Sequence, residues 1–360
     1  MEAAATIITA VVILCWLQFS SVECHWRLRN PRQPNQTEAS TRPQGTLLQS
    51  NDKLQDRFYR NTCPQAENII AKSVYDAVLV QPGLAAGLIR LHFHDCFVNG
   101  CDASILLDTT PSGEPVEKTS RANVFASQIF KYIDRLKADI ERECPGVVSC
   151  ADILAYATRE AVKEEGLPYY LVPGGRRDGL SSSASNVAGN IPSPNESLKN
   201  MTQIFLRKGL SIEDMVVLFG AHSIGHTHCR SLFNRLYNYS TTQAQDPSMD
   251  FAHSLYLKGL CPKAGPLLQE VIDKVMVPLE PITPSRLDTL YYTQLLKGEG
   301  VLQSDQALTN NPTTNEIVKR FSQNPLEWGA RFTNAMINLG KVDVLTGQEG
   351  EIRRNCRAVN

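Results

Sequence analysis

Ten cysteines are distributed over 360 residues, and their placement restricts the chain more than any other feature. Two of them, Cys15 and Cys24, fall in a leader: residues 3–19 are apolar apart from Thr6, Thr9 and Gln18, and small polar residues follow at Ser20 and Ser21. Such a run is too short and too poorly flanked for a membrane span. It reads as a signal peptide over residues 1–24, although Glu2 stands where Lys or Arg is usual. A cut after Cys24, with Val22 at the third position before it, leaves Cys63, Cys96, Cys101, Cys144, Cys150, Cys229, Cys261 and Cys356. An even set of widely spaced cysteines behind a leader predicts an oxidising compartment and four disulfides. Zinc is the alternative use, yet no Cys-x-x-Cys pair occurs. Spacing alone does not select among the possible pairings.

The formal charge is -1, with both signs interspersed. That gives no footprint for nucleic acid and no polybasic membrane anchor, and a small neutral molecule is the easier partner. Residues 25–53 are polar, carry three prolines (Pro31, Pro34 and Pro43) and have almost no large apolar residues. They read as a disordered N-terminal extension before a domain that runs from residue 54 to 360. Within that domain the pattern is mostly helical. Ile129, Ile133, Leu136 and Ile140 share one helical face, and a run with Val216, Val217, Phe219 and Ile224 opens at Ser211, an N-cap with Asp214 three residues on. No long alternation calls for a sheet, and Gly, Pro and Ser mark loops over 172–194 and 262–284. Asn35, Asn195, Asn200 and Asn238 each open an Asn-x-Ser/Thr acceptor for glycans.

Chemistry concentrates in two stretches. In RLHFHDCFVNGCDAS, Arg90 to Ser104, Arg90 and His94 are four apart, so they project from one helical face and can converge on one small ligand. Asp95 and Cys96 then point elsewhere. Asp102, Ser104 and a turn at Gly100 offer oxygens for a hard cation such as calcium. The plainer reading of Arg90 and His94 is a surface pair or a satisfied core histidine. In GAHSIGHTHC, Gly220 to Cys229, His222 follows two small residues that let a flat cofactor approach, as an axial haem ligand requires. His222, His226 and His228 also suit zinc, though no carboxylate stands between them, and a purely structural role remains open.

Together with EKTSRAN (117–123), CPGVVSCADILA (144–155), GRRD (175–178), IPSP (191–194) and QSDQ (303–306), these stretches resemble the class III plant peroxidases. The match keeps the family's order from about Leu54 to Asn360. The resemblance implies an all-α fold in which two helical halves sandwich haem b, and a reaction in which hydrogen peroxide is reduced to water while phenolic or aromatic donors lose single electrons in two steps at the haem edge. His94 matches the distal base, Asn123 the residue that accepts its other ring proton, and Arg90 the group that stabilises charge on the departing oxygen. Phe93 would cover the haem. His222 matches the iron ligand and Asp305 the carboxylate that accepts its second ring proton. Pro192 matches a donor-positioning residue near the exposed haem edge.

The resemblance further implies the pairings Cys63 with Cys144, Cys96 with Cys101, Cys150 with Cys356 and Cys229 with Cys261, and a buried Asp152–Arg176 ion pair. Two calcium ions follow. The distal one is matched by Asp95, Asp102 and Ser104, the carbonyls of Val98 and Gly100, and Glu117 through water. The proximal one is matched by Ser223, Thr283 and Asp288, but Glu280 stands where Asp is usual and Leu287 where Phe is usual, which predicts weaker binding there. A secreted monomer in the extracellular space or cell wall is expected.

Overall fold

The computed structural model describes residues 54–125 and 127–360; the signal peptide and the extension expected over 1–53 lie outside the described residues. Four helices come first: α1 (Ala66–Val80), α2 (Gly83–Val98), α3 (Ser127–Glu143) and α4 (Cys150–Glu164). Helix α4 is buried along nearly its whole length and packs against both α1 and α2. Its N-terminal amides are satisfied twice over. Ser149 caps it by accepting from the Asp152 N–H, and Asp178, brought from the GRRD loop, accepts from the N–H groups of Cys150 and Ala151. The anticipated face of α3 is the buried one: Ile129, Ile133, Leu136 and Ile140 are 0–7 % exposed.

The second group begins with α5 (Leu198–Arg207) and α6 (Ile212–Phe219), followed by short α7 (Phe233–Tyr237), α8 (Phe251–Leu260) and α9 (Pro266–Asp273). It closes with α10 (Leu290–Lys297), α11 (Gln303–Gln306), α12 (Pro312–Gln323) and α13 (Pro325–Leu339). Helices α12 and α13 pack on α6, and α10 packs on α12. One apolar core runs through both groups, and a smaller one around Leu232, Leu236, Leu257 and Val277 sits under α7 and α8. The only sheet among the described residues is an antiparallel pair, β1 (His226–His228) with β2 (Met276–Pro278), His226 facing Pro278. The fold is therefore helical in two groups, as the resemblance implied.

Two local details depart from the pattern reading. The segment 262–284, expected to be a loop, contains α9 and β2; Pro266 at the first helical position supplies a preset φ where no N–H is needed. The helix opened by Ser211 ends at Phe219, and residues Gly220–Ser223 form a tighter 3-10 turn, with Ile224 extended. A long-range contact lies at the point of change. A Cβ on Gly220 would lie 2.5 Å from the Tyr292 hydroxyl and 2.8 Å from the Trp328 indole nitrogen, so only glycine lets this backbone sit so close.

Among the described residues the bonded cysteine pairs are Cys63–Cys144, Cys96–Cys101, Cys150–Cys356 and Cys229–Cys261, with sequence separations of 81, 5, 206 and 32. The third fastens the C-terminal segment to α4. There buried Arg353 donates to the carbonyls of Ala103, Gly179 and Cys356, each at 2.9 Å. Asp152 and Arg176 form a fully buried pair at 2.7 Å, with Tyr59 and the Gly175 N–H completing the carboxylate's partners. A buried pair so satisfied tolerates desolvation; removing one member costs about 3–5 kcal/mol.

Candidate active site

Helix α2 presents Arg90 and His94 on one side, as their spacing requires. The His94 Nδ1 lies 2.7 Å from Asn123 Oδ1. The Asn123 amide cannot be turned round, because its Nδ2 donates to the Glu117 carbonyl at 2.8 Å. The His94 proton is therefore on Nδ1, and Nε2 carries the free lone pair. Burial first, then the positive charge of Arg90, push the imidazole well below its ordinary value, outweighing the Asn123 hydrogen bond. His94 is neutral at physiological pH.

Arg90 is exposed yet partly enclosed. Its side chain is accessible to solvent, yet enough protein surrounds it that desolvation lowers its guanidinium to about 10. It remains charged. The guanidinium donates to the carbonyls of Ala122 (2.8 Å) and Val124 (3.3 Å) and lies 4.4 Å from the centre of the Phe125 ring. That ring also meets His94 edge-on at 5.2 Å. Phe125 thus fixes both groups, a role the sequence pattern did not reveal.

On the second group, His222 sits in the 3-10 turn after α6, its side chain 32 % exposed. Its Nδ1 meets Asp305 Oδ1 at 2.7 Å. Asp305 is fully buried on α11; its Oδ2 accepts the Leu302 N–H at 3.2 Å, and its Oδ1 also accepts from the Tyr291 hydroxyl at 3.1 Å. Burial and the neighbouring carboxylate raise the Tyr291 phenol well above its usual value, so it acts as a donor. His222 Nε2 is left free. The two imidazoles are near enough that His222 contributes to the depression of His94.

A chain of aromatic contacts links the two groups. Phe93 on α2, Phe205 on α5 and Phe219 on α6 follow at 6.0 and 6.1 Å between centres, and Phe219 meets His222 at 5.6 Å. Phe93 also stacks on Phe97 at 4.0 Å. Beyond His222, the backbone at Gly225 comes close to Ala86 of α2. Arg90 and Phe93 of α2, Val124 in the loop before α3 and His222 keep accessible surface near these contacts. One free imidazole Nε2 backed by a carboxylate, opposite another backed by an amide, is the donor set that an axially ligated haem with a distal base needs. The residues fit that group.

Zinc on His222, His226 and His228 is not supported, since among the described residues these three do not converge. The cluster that does converge is His92, Cys96 and Cys101, and its two sulfurs are bonded to each other. Pro192 lies half-buried in the loop after α4, and the neighbouring Pro194 carbonyl accepts the Ser304 N–H at 3.0 Å, tying that loop to the helix of Asp305.

The distal oxygens gather at the end of α2. Asp95, Asp102, Ser104 and Glu117 are all 0–5 % exposed. Asp95 accepts from the Ala103 N–H (3.0 Å), Asp102 from the Ser104 N–H (2.9 Å) and Glu117 from Asn99 Nδ2 (2.7 Å). The Ser104 hydroxyl and the second Glu117 oxygen are buried with no partner among the described residues. Burial, reinforced by repulsion from Asp102 and Glu117, raises Asp95 well above the usual carboxylate range, and burial pushes Glu117 to about 8. Buried acids that repel one another around orphaned oxygens fit a hard cation. The Val98 carbonyl also receives Lys208 Nζ at 3.1 Å, and the Gly100 carbonyl receives the Asp102 N–H at 2.8 Å.

The proximal oxygens also come together. Thr283 Oγ1 is 2.8 Å from Glu280 and 2.9 Å from Asp288, and the Ser223 hydroxyl accepts the Asp288 N–H at 3.1 Å. Glu280, however, is crowded with donors: the N–H groups of Ile282 (2.7 Å) and Thr283 (2.5 Å), the Thr283 hydroxyl and the side-chain amide of Gln294. Gln294 was not singled out by pattern.

Comparisons with known proteins agree with this geometry. The model of the family described as "Peroxidase" matches residues 70–324. "Peroxidase 5" of Vitis vinifera is 44 % identical over 308 residues, 86 % of this chain and 92 % of that protein. "Peroxidase 39" of Arabidopsis thaliana is 42 % identical over 318 residues, 88 % and 96 % of the two chains, and "Peroxidase 3" of the same plant is 41 % identical over 309 residues, 86 % and 92 %. With both histidines, their partners and the family's span in place, the chain belongs to the peroxidase family, as a haem peroxidase of the plant class III type that oxidises donors with hydrogen peroxide.

Proposed function

We propose that His94, Arg90 and Asn123 carry the peroxide chemistry and that His222 with Asp305 holds the iron. Haem held by His222 in this position would supply a ferric centre for two-electron chemistry with peroxide. The His94 Nε2 lone pair is placed to accept a proton from peroxide and return it to the departing oxygen, a cycle that needs the neutral imidazole that burial and Arg90 favour. Arg90 stabilises the negative charge growing on that oxygen with a guanidinium held in place by two carbonyls and Phe125. Asn123 keeps the His94 proton on Nδ1. Asp305 draws the Nδ1 proton of His222 and makes its Nε2 a stronger electron donor.

The observation that carries this assignment is the pair of imidazoles whose Nδ1 atoms are fixed by different acceptors, an amide for the base and a carboxylate for the ligand. Donors are small phenols or other aromatics that give up one electron at a time at the open edge by Pro192. Calcium occupies the distal oxygens, and more weakly the proximal ones. The chain acts as a monomer that is secreted to the extracellular space or wall; no helix among the described residues is long and apolar enough to cross a membrane.

His94→Ala and His222→Ala test the assignment together. The first keeps the Soret band but slows the reaction with peroxide by ~10²–10⁴-fold, the usual worth of a positioned base. The second changes the Soret band and iron spin state. A loss of less than tenfold for His94→Ala, or an unchanged spectrum for His222→Ala, removes the residue concerned from its role.

A further inference from the structure

We propose that Tyr291 is a positioning residue of the iron-binding side, whose hydroxyl competes with His222 for one oxygen of Asp305 and thereby limits how strongly that carboxylate draws the imidazole proton. The inference rests on the reading of His222 as the iron ligand. Its geometric basis is that both donors reach the same atom: His222 Nδ1 lies 2.7 Å and Tyr291 Oη 3.1 Å from Asp305 Oδ1. An oxygen that accepts two donors divides its negative charge between them, so each hydrogen bond is weaker than it would be alone.

Nothing else occupies the Tyr291 hydroxyl among the described residues. The side chain is 2 % exposed, so no bulk water replaces the bond. Its ring meets His222 edge-on at 6.3 Å and leans on Tyr292 at 5.1 Å, which holds the hydroxyl over the carboxylate. The adjacent Tyr292 is a built-in control. It is equally buried and shares the same helix, but its hydroxyl donates to the Val216 and Val217 carbonyls at 2.9 and 3.2 Å and not to Asp305.

Removing the Tyr291 hydroxyl while keeping the ring returns Asp305 Oδ1 to His222 alone. The imidazole then gains anionic character and donates more strongly from Nε2. In the haem-loaded protein, Tyr291→Phe is expected to raise the iron–imidazole stretching frequency of the ferrous form and to make the ferric/ferrous reduction potential more negative. Tyr292→Phe is expected to leave both where they were. Should Tyr291→Phe fail to fold, 2,3-difluorotyrosine at position 291 keeps the ring and hydroxyl while making the phenol a stronger donor, and the frequency should fall.

Asp305→Asn separates failure of this inference from failure of the reading beneath it. If Asp305→Asn leaves the stretch unmoved, the His222–Asp305 assignment is wrong. If Asp305→Asn lowers it but Tyr291→Phe or the fluorinated residue leaves it unchanged, Tyr291 only fills space and the proposal is overturned. An equal shift from Tyr292→Phe overturns it as well, since that hydroxyl has no access to the carboxylate.

Discussion

On the proposed assignment, two histidines of one chain take opposite tasks, and they differ in the single atom that faces each Nδ1. At His94 the acceptor is an amide oxygen, which fixes the tautomer without adding charge, and burial with Arg90 keeps the ring neutral. At His222 the acceptor is a carboxylate. Exchanging the amide for a carboxylate by Asn123→Asp places an anion against His94 and favours the imidazolium. The native group, its pKa depressed, stays an effective base as pH falls below its ordinary 6.5, whereas the variant's base is protonated at higher pH. The acid limb of the rate with peroxide is expected to move upward by about one unit or more. A pH profile of that rate unchanged from the parent protein would show that Asn123 does not set the protonation of His94. Both histidines were legible because each stands in a dense local motif. Phe125 and Tyr291 were not, because each acts through contacts between segments distant in sequence.

Elements show the same division between local and distant causes. The start of α6 was legible, since Ser211 and Asp214 form a capping box whose members lie three residues apart. Its end was not: the apolar spacing continues to Ile224, whereas the helix tightens at Gly220, the point where Tyr292 and Trp328 arrive from α10 and α13. Strands β1 and β2 are three residues long and carry no alternation to read. The segment joining β2 to α10 holds Glu280, Thr283 and Asp288 of the proximal set, and the longer Glu280 has folded onto Thr283 and onto Gln294 of α10. Lone pairs spent on these donors are less available to a cation. Glu280→Asp withdraws the carboxylate by one methylene from Gln294, and the second calcium should then resist chelation better. Calcium per chain by elemental analysis, followed through mild chelation alongside the Soret band, measures this. Equal retention by both proteins would mean that the longer side chain is neutral for binding.

At the scale of the whole molecule, four disulfides limit the unfolded chain, each typically contributing ~2–4 kcal/mol, while buried neutral histidines set where acid overcomes that advantage. Burial first and the Arg176 charge second lower His92 to about 3; it is 3 % exposed and lies against the Cys96 sulfur and Gly340. Burial and Arg235 lower His253 to about 4, against a smaller opposing effect of Asp250, and its Nε2 has no partner among the described residues. Both folded values lie below the unfolded value near 6.5, so between those limits the unfolded chain binds protons that the native protein refuses. Stability is fully present above pH 6.5 and is lost as pH falls toward the folded values. At pH 5 the loss is about 2 kcal/mol for His92, and about 1–2 kcal/mol for His253, which at 8 % exposure is less enclosed. Burial moves Asp178 in the opposite direction, so the total acid response mixes signs, and the comparison that isolates the effect is His253→Gln against the parent. Glutamine stays uncharged in both states, so the urea midpoint of the variant should fall less between pH 7 and pH 5, by the equivalent of about 1–2 kcal/mol, with four disulfides intact in both proteins. Parallel acid limbs would show that His253 takes up its proton in the folded protein as readily as in the unfolded one, and that burial on the inner side of α8 does not keep it neutral.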